Sequence, residues 1–117
     1  MRMWMIDPAI LCRKHLLGEH GEIHKHIPSF RKGHKIDGRF EPVVQIQLNA
    51  IEDRHHDLQI EMLNRGYNHN SPLIDLPDFE ATYPQHYEKE VDENISIKDL
   101  AERCPECRNN LKKRGWI

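Results

Sequence analysis

The stretch CRKHLLGEHGEIHKH, Cys12 to His26, sets one cysteine, four histidines and two glutamates within fifteen residues. On a helix, at 100° per residue, Cys12, His15, Glu19, Glu22 and His26 share one narrow sector. Leu16, Ile23, Ile27 and Phe30 fill the sector beside it. A solvated face would lie opposite the apolar stripe, not next to it. Polar groups at a core boundary need partners, so the stripe marks either a site or a hydrogen-bonded network that fixes helix packing. His20 and His24 fall further round and are expected to be exposed, four apart, with a surface metal site as one reading. Gly18 and Gly21 each cost about 1 kcal/mol against alanine in a helix. Close approach of another group is one reason to keep them; tolerance is the other.

Working outward, this helix is expected from about Ala9 into Phe30, with Pro8 near its start and Pro28 as a kink or end. A second helix is expected from about Gln47 to Arg65, with Leu48, Ile51, Leu58, Met62 and Leu63 as its apolar face and Gly66 as its stop. A third is expected after Ser96, where SIKD matches a capping box. Pro105 should interrupt it, leaving CPEC as a tight turn and RNNLKKR as a final helical turn or two. FEPVVQI reads as a short extended piece, and 71–94 as a long loop wrapped over the core or carrying function. The expectation from these segments is a compact single domain of about three helices with long irregular loops, spanning 1–117.

Composition narrows the possibilities. The 117 residues are 38% hydrophobic and 31% charged, which suits one modest core. No apolar run approaches the roughly 18 residues of a membrane span, and the start carries no signal-peptide pattern. Three cysteines without a secretion signal point to thiols or metal ligands in a reducing, cytoplasmic compartment. The net charge is −2, but residues 1–39 carry eight Lys/Arg against four Asp/Glu and residues 98–117 six against three. Residues 40–97 carry three against twelve. If the basic ends meet, they make a face suited to phosphate; scattered charge is the plainer reading.

Cys12-x2-His15 and Cys104-x2-Cys107 are two ligand pairs of suitable type and spacing. Together they would make a closed Cys3His tetrahedral site for a structural zinc, clamping the first helix to the C-terminal segment. A redox CxxC or ordinary thiols remain alternatives. No pattern calls for an organic cofactor. Trp4 and Trp116 read as core or lid residues, and His55, His56, His69 and His86 carry no pattern.

The segments MRMW, HLLGEHGEI, LQIEMLNRGYN and ISIKDLAER, in this order and spacing, resemble the pyrimidine-dimer DNA glycosylase/AP lyases of the phage endonuclease V type. The resemblance implies an all-α domain with its N-terminal segment threaded between the first and last helices. It also implies a mechanism in which the first residue's α-amine attacks deoxyribose C1′, the base leaves, an imine forms and β-elimination nicks the strand. Glu22 falls on the family's catalytic glutamate and Arg2 on a basic residue that contacts phosphate. The partner implied is double-stranded DNA with a damaged or modified base, bound by a monomer without membrane association. An α-amine has a pKa of about 7.7–8.0 against about 10.4 for lysine, so roughly a tenth is neutral at pH 7. The large Arg2 side chain predicts that Met1 is retained and is itself the nucleophile. The chain departs from the family where Gly21 replaces an arginine before the glutamate, where Lys25 replaces another, and in the shortened tail KKRGWI.

Phosphate contacts are expected from Arg2, Lys25, Arg31, Lys32, Lys35, Arg108, Lys112, Lys113 and Arg114. Two other functions fit the same residues. One is a zinc-stabilised nucleic-acid-binding module without catalysis. The other is a metal-dependent hydrolase using His15, Glu19, Glu22 and His26.

Overall fold

A computed structural model describes residues 1–69 and 71–117. Among the described residues there are five α-helices and no strand. They are α1 (Arg13–Arg31), α2 (Ile51–Asn64), α3 (Phe79–Thr82), α4 (Glu93–Arg103) and α5 (Pro105–Lys113). The all-α expectation holds, and the extended piece expected at FEPVVQI forms no strand.

α1 starts later than its period alone suggests. Pro8–Ile10 form a separate 3-10 turn capped by Asp7, and α1 then opens with Cys12 as its N-cap. Pro28 lies inside the helix, which runs on to Arg31. Leu16, Ile23, Ile27 and Phe30 are buried as expected. α2 follows a 3-10 turn at Leu48–Ala50 and buries Ile51, Leu58 and Met62, whereas Leu63 is 51% exposed.

α4 begins a turn before the SIKD box. Asp92 caps it by accepting from the backbone N–H groups of Asn94 and Ile95, which leaves Ser96 buried inside the helix. CPEC is not a separate turn. Cys104 ends α4 and caps α5, with Pro105 in the first turn, where a missing N–H costs nothing.

The 71–94 segment does wrap the core. Asp78 caps the short α3, Phe79 and Tyr83 meet Phe30 edge-on, and the Tyr83 hydroxyl donates to the His34 carbonyl at 2.6 Å. Arg31 donates to the carbonyls of Ile74 and Asp75, holding the same segment. The molecule measures 41 × 34 × 17 Å, a flat body with a single apolar layer. Among the described residues no helix is long and apolar enough to cross a membrane.

Candidate functional site

The N-terminal segment runs between α1 and α4. Two glutamates one turn apart on α1 receive it. The Arg2 backbone N–H donates to Glu22 Oε2 at 3.1 Å, and the Trp4 N–H to Glu19 Oε1 at 3.3 Å. Alternation along an extended chain sends the intervening Met3 N–H the other way, to the Gln45 carbonyl at 2.8 Å. On the far side the Arg2 guanidinium pairs with Asp99 of α4 at 2.6 Å. Helix α5 packs against the 3-10 turn that follows the segment, where the Asn110 amide donates to the Ile10 carbonyl.

This places the Met1 amine 3.6 Å from Glu22 Oε2. The Met1 residue is buried, whereas the Glu22 side chain is 47% exposed, so the amine meets solvent at the carboxylate. Burial lowers the amine's pKa below 8.0; the Glu22 charge opposes this, and Arg39 and Lys25 reinforce it. Beside it lies a cavity of about 300 Å3 lined by Arg2, Trp4, Lys14, Gly18, Glu22 and Arg103, among others. Trp4 is buried, edge-on to His15, with the guanidiniums of Arg2 and Arg103 over its ring. It is the core residue expected, while Trp116 is 41% exposed.

Glu19 is not a second free carboxylate. Arg54 donates to both of its oxygens, at 2.6 and 3.0 Å, and to the Ile6 carbonyl at 2.6 Å. Both side chains are buried. One bidentate pair thus fixes the N-terminal segment at Trp4 and Ile6 and ties α2 to α1. Arg54 carries no motif, but a signal exists: it occupies a slot in the Ile51–Leu58–Met62 face of α2, where a charge needs a buried partner.

Of the hydrolase set, His15, Glu19 and Glu22 line the cavity, but the four residues, with His26, do not converge as one ligand group. His26 Nδ1 contacts its own helix at the Glu22 carbonyl, Glu19 is held by Arg54, and His15 faces the cysteines. A Cβ at Gly18 or Gly21 would meet nothing within 4 Å, so no protein group requires either glycine.

Cys12, His15, Cys104 and Cys107 do converge. Cys12 Sγ lies 3.1 Å from His15 Nδ1 and 3.8 Å from Cys104 Sγ, and Cys107 Sγ lies 3.6 Å from His15 Nδ1. Cys12 and Cys104 are equivalent in construction. Each is a helix N-cap whose sulfur accepts from the backbone N–H three residues on, at His15 and Cys107. At Cys104 burial acts to raise the thiol's pKa, but hydrogen bonds, the Cys107 N–H first among them, bring it below its usual value. Burial pushes the Cys107 thiol up to about 12, a cost that a bound dication would reverse. The four residues could hold a metal ion.

His20 and His24 are not surface residues. His20 is buried and His24 half-buried, and both join His55 and His69 in a second cluster. Burial and the neighbouring imidazoles lower His20 and His55 to about 4. The other histidines without a pattern stand apart: His56 is exposed, and His86 stacks on Phe40 and pairs with Asp37.

The expected phosphate ligands divide. Arg2, Arg31, Arg108 and Arg114 are engaged internally, with Asp99, the 74–75 backbone, the Ala101 carbonyl and Asp7 respectively. Lys25, Lys32, Lys35, Lys112 and Lys113 are exposed, with no ion pair among the described residues. Sequence reasoning missed Lys14 and Arg103, which line the cavity, and Arg39, whose charge acts on the amine.

The family model for pyrimidine dimer DNA glycosylase matches residues 1–75, which contain Met1, Glu22 and the Glu19–Arg54 pair. Neither a curated protein nor a solved structure matches the chain. With well over half of its residues matched, the chain belongs to the pyrimidine dimer DNA glycosylase family.

Proposed function

We propose that the protein is a DNA N-glycosylase with AP lyase activity on double-stranded DNA carrying a damaged or modified base, and that the Met1 amine is its nucleophile. The observation that carries this reading is the 3.6 Å approach of the amine to Glu22, which lines a cavity together with Arg2, Lys14 and Arg103. In the first step the amine lone pair attacks C1′. The C1′–N glycosidic bond breaks, and its electron pair leaves with the base. Loss of the amine proton and opening of the sugar ring give the imine. Removal of a C2′ proton then expels the 3′ phosphate by β-elimination.

Glu22 has two tasks in this sequence. Its negative charge stabilises cationic character at C1′, and its carboxylate carries protons between the amine, the ring oxygen and C2′. Burial supports the first step by raising the neutral fraction of the amine. Lys14, Lys25, Arg39 and Arg103 surround the site with positive charge suited to the phosphates flanking an extruded nucleotide. Exposed Lys32, Lys35, Lys112 and Lys113 extend that contact in this reading.

Cys12, His15, Cys104 and Cys107 are read as a structural zinc site. A tetrahedron with Zn–S of about 2.3 Å has sulfur–sulfur edges of about 3.8 Å, and the Cys12–Cys104 separation is 3.8 Å. Four protein ligands leave no open position, so the ion's contribution is to folding: it ties the start of α1 to the start of α5 in a body only 17 Å thick.

Borohydride trapping on DNA with an abasic site tests the reading. The expected result is a covalent adduct that maps to Met1 and disappears when the N-terminus is blocked. Tight DNA binding with no adduct would overturn it in favour of a binding module.

A further inference from the structure

The second histidine cluster has no part in the reaction above, and its geometry calls for a separate explanation. His20 and His24 project from one side of α1, His55 comes from α2, and His69 from the segment after it. His20 Nε2 lies 3.2 Å from His55 Nε2, and His55 Nε2 lies 3.0 Å from His24 Nε2. His69 Nε2 also contacts His20 Nε2. All four ligand nitrogens fall within 4.8 Å of one another.

A hydrogen-bonded network accounts poorly for this arrangement. An imidazole nitrogen has one in-plane direction, used either by a proton or by a lone pair. Here His20 Nε2 faces both His55 and His69, and His55 Nε2 faces both His20 and His24. Neither nitrogen can make two linear hydrogen bonds. One ion shared by the four lone pairs gives all four Nε2 atoms a partner at once. Tetrahedral coordination with Zn–N of about 2.0–2.1 Å sets nitrogen–nitrogen edges of about 3.3 Å, close to the 3.2 Å His20–His55 and 3.0 Å His55–His24 separations.

We propose that His20, His24, His55 and His69 form a second metal site, distinct from the cysteine cluster, that binds one zinc ion through four imidazole nitrogens. The donor set is neutral and borderline in softness, which suits zinc and its divalent neighbours rather than calcium or magnesium. Three of the four residues are buried. Access exists: a cavity of about 180 Å3 reaches His24, and one of about 320 Å3 reaches His55. With four protein ligands the site is closed and structural. It joins α1, α2 and the chain after α2, and His55 adjoins Arg54 in sequence. The ion therefore braces the helix pair that carries the Glu19–Arg54 clamp.

The test is zinc stoichiometry by elemental analysis of the full chain, stripped and reloaded with zinc alone. Two zinc ions per chain are expected in the unaltered protein. One is expected in His24→Gln, and one in the double variant Cys104→Ser/Cys107→Ser. His56→Gln, which alters a neighbouring histidine outside the cluster, should keep both. Cobalt loading separates the sites, since His24→Gln should retain a thiolate-to-cobalt absorption band that the cysteine variant lacks. A variant that fails to fold leaves the unaltered chain as the probe: zinc addition should shift the Nε2 resonances of four histidines in its nitrogen NMR spectrum. Only one zinc ion in the unaltered chain and none in the cysteine variant, two zinc ions in His24→Gln, or unshifted imidazole nitrogens would each overturn the proposal. One zinc ion in the unaltered chain that is still present in the cysteine variant would uphold it while removing the zinc reading of the cysteines.

Discussion

Glu22 Oε2 stands 3.6 Å from the Met1 amino nitrogen and accepts the Arg2 backbone N–H at 3.1 Å. One carboxylate therefore both positions the first residue and supplies the charge beside its amine. The two tasks separate in experiment, because a glutamine keeps the acceptor and loses the charge.

In the Glu22→Gln variant, base excision should fall by about 10²–10⁴-fold, the span that general acid–base groups contribute. DNA affinity should change little, since the exposed lysines are untouched. Single-turnover excision and equilibrium binding on the same duplex check both halves. Undiminished excision would remove Glu22 from the chemistry.

The pH dependence of imine formation follows from the amine. Burial lowers its pKa below 8.0, and Arg39 and Lys25 act in the same direction. The neutral, nucleophilic form therefore persists to lower pH than for a free α-amine. Trapping on a preformed abasic site should lose rate on the acid side with a midpoint below 8.0. Glu22 opposes the shift, so Glu22→Gln should move that midpoint further toward acid. A midpoint at or above 8.0 in the unaltered protein would contradict the burial argument.

Arg54→Leu should destabilise the fold by about 3–5 kcal/mol, because it leaves the Glu19 carboxylate buried and unpaired. The double variant Arg54→Leu/Glu19→Gln should be clearly more stable than the single one. Its N-terminal segment should still be loosened, since the bond from Arg54 to the Ile6 carbonyl is gone. Denaturant midpoints of the two variants measure the first effect, and trapping yield at equal folded fraction measures the second.

Gly21→Ala should raise stability by about 1 kcal/mol. The position lies inside α1 and is exposed, and an added methyl meets no atom within 4 Å. Urea unfolding of the two proteins decides it. A neutral or destabilising result would show that the glycine serves something other than the folded chain alone.

The helical faces were legible because their period is local. Leu16, Ile23, Ile27 and Phe30 recur at helical spacing and are buried where that spacing puts them. The Cys12–His15 pair was legible for the same reason, whereas Cys104–Cys107 was legible as a CxxC turn and is in fact the N-terminus of α5. Boundaries were less so. Asp92 and Ser96 are both sound caps by composition, and only the packed helix shows which is used.

By itself the sequence determined the all-α class, the buried stripe of α1, the polar stripe beside it and the two cysteine-containing pairs. Tertiary structure alone decided which members of that stripe are free. Glu19 and Glu22 have the same residue type and adjoining turns, yet Arg54 claims one and the Met1 amine meets the other. It also decided the histidine cluster, whose members come from α1, α2 and the chain after α2 and lie up to 49 residues apart. Helical periodicity fixes direction within an element. Whether a neighbour 35 or 49 residues away stands there to meet it depends on how the helices pack.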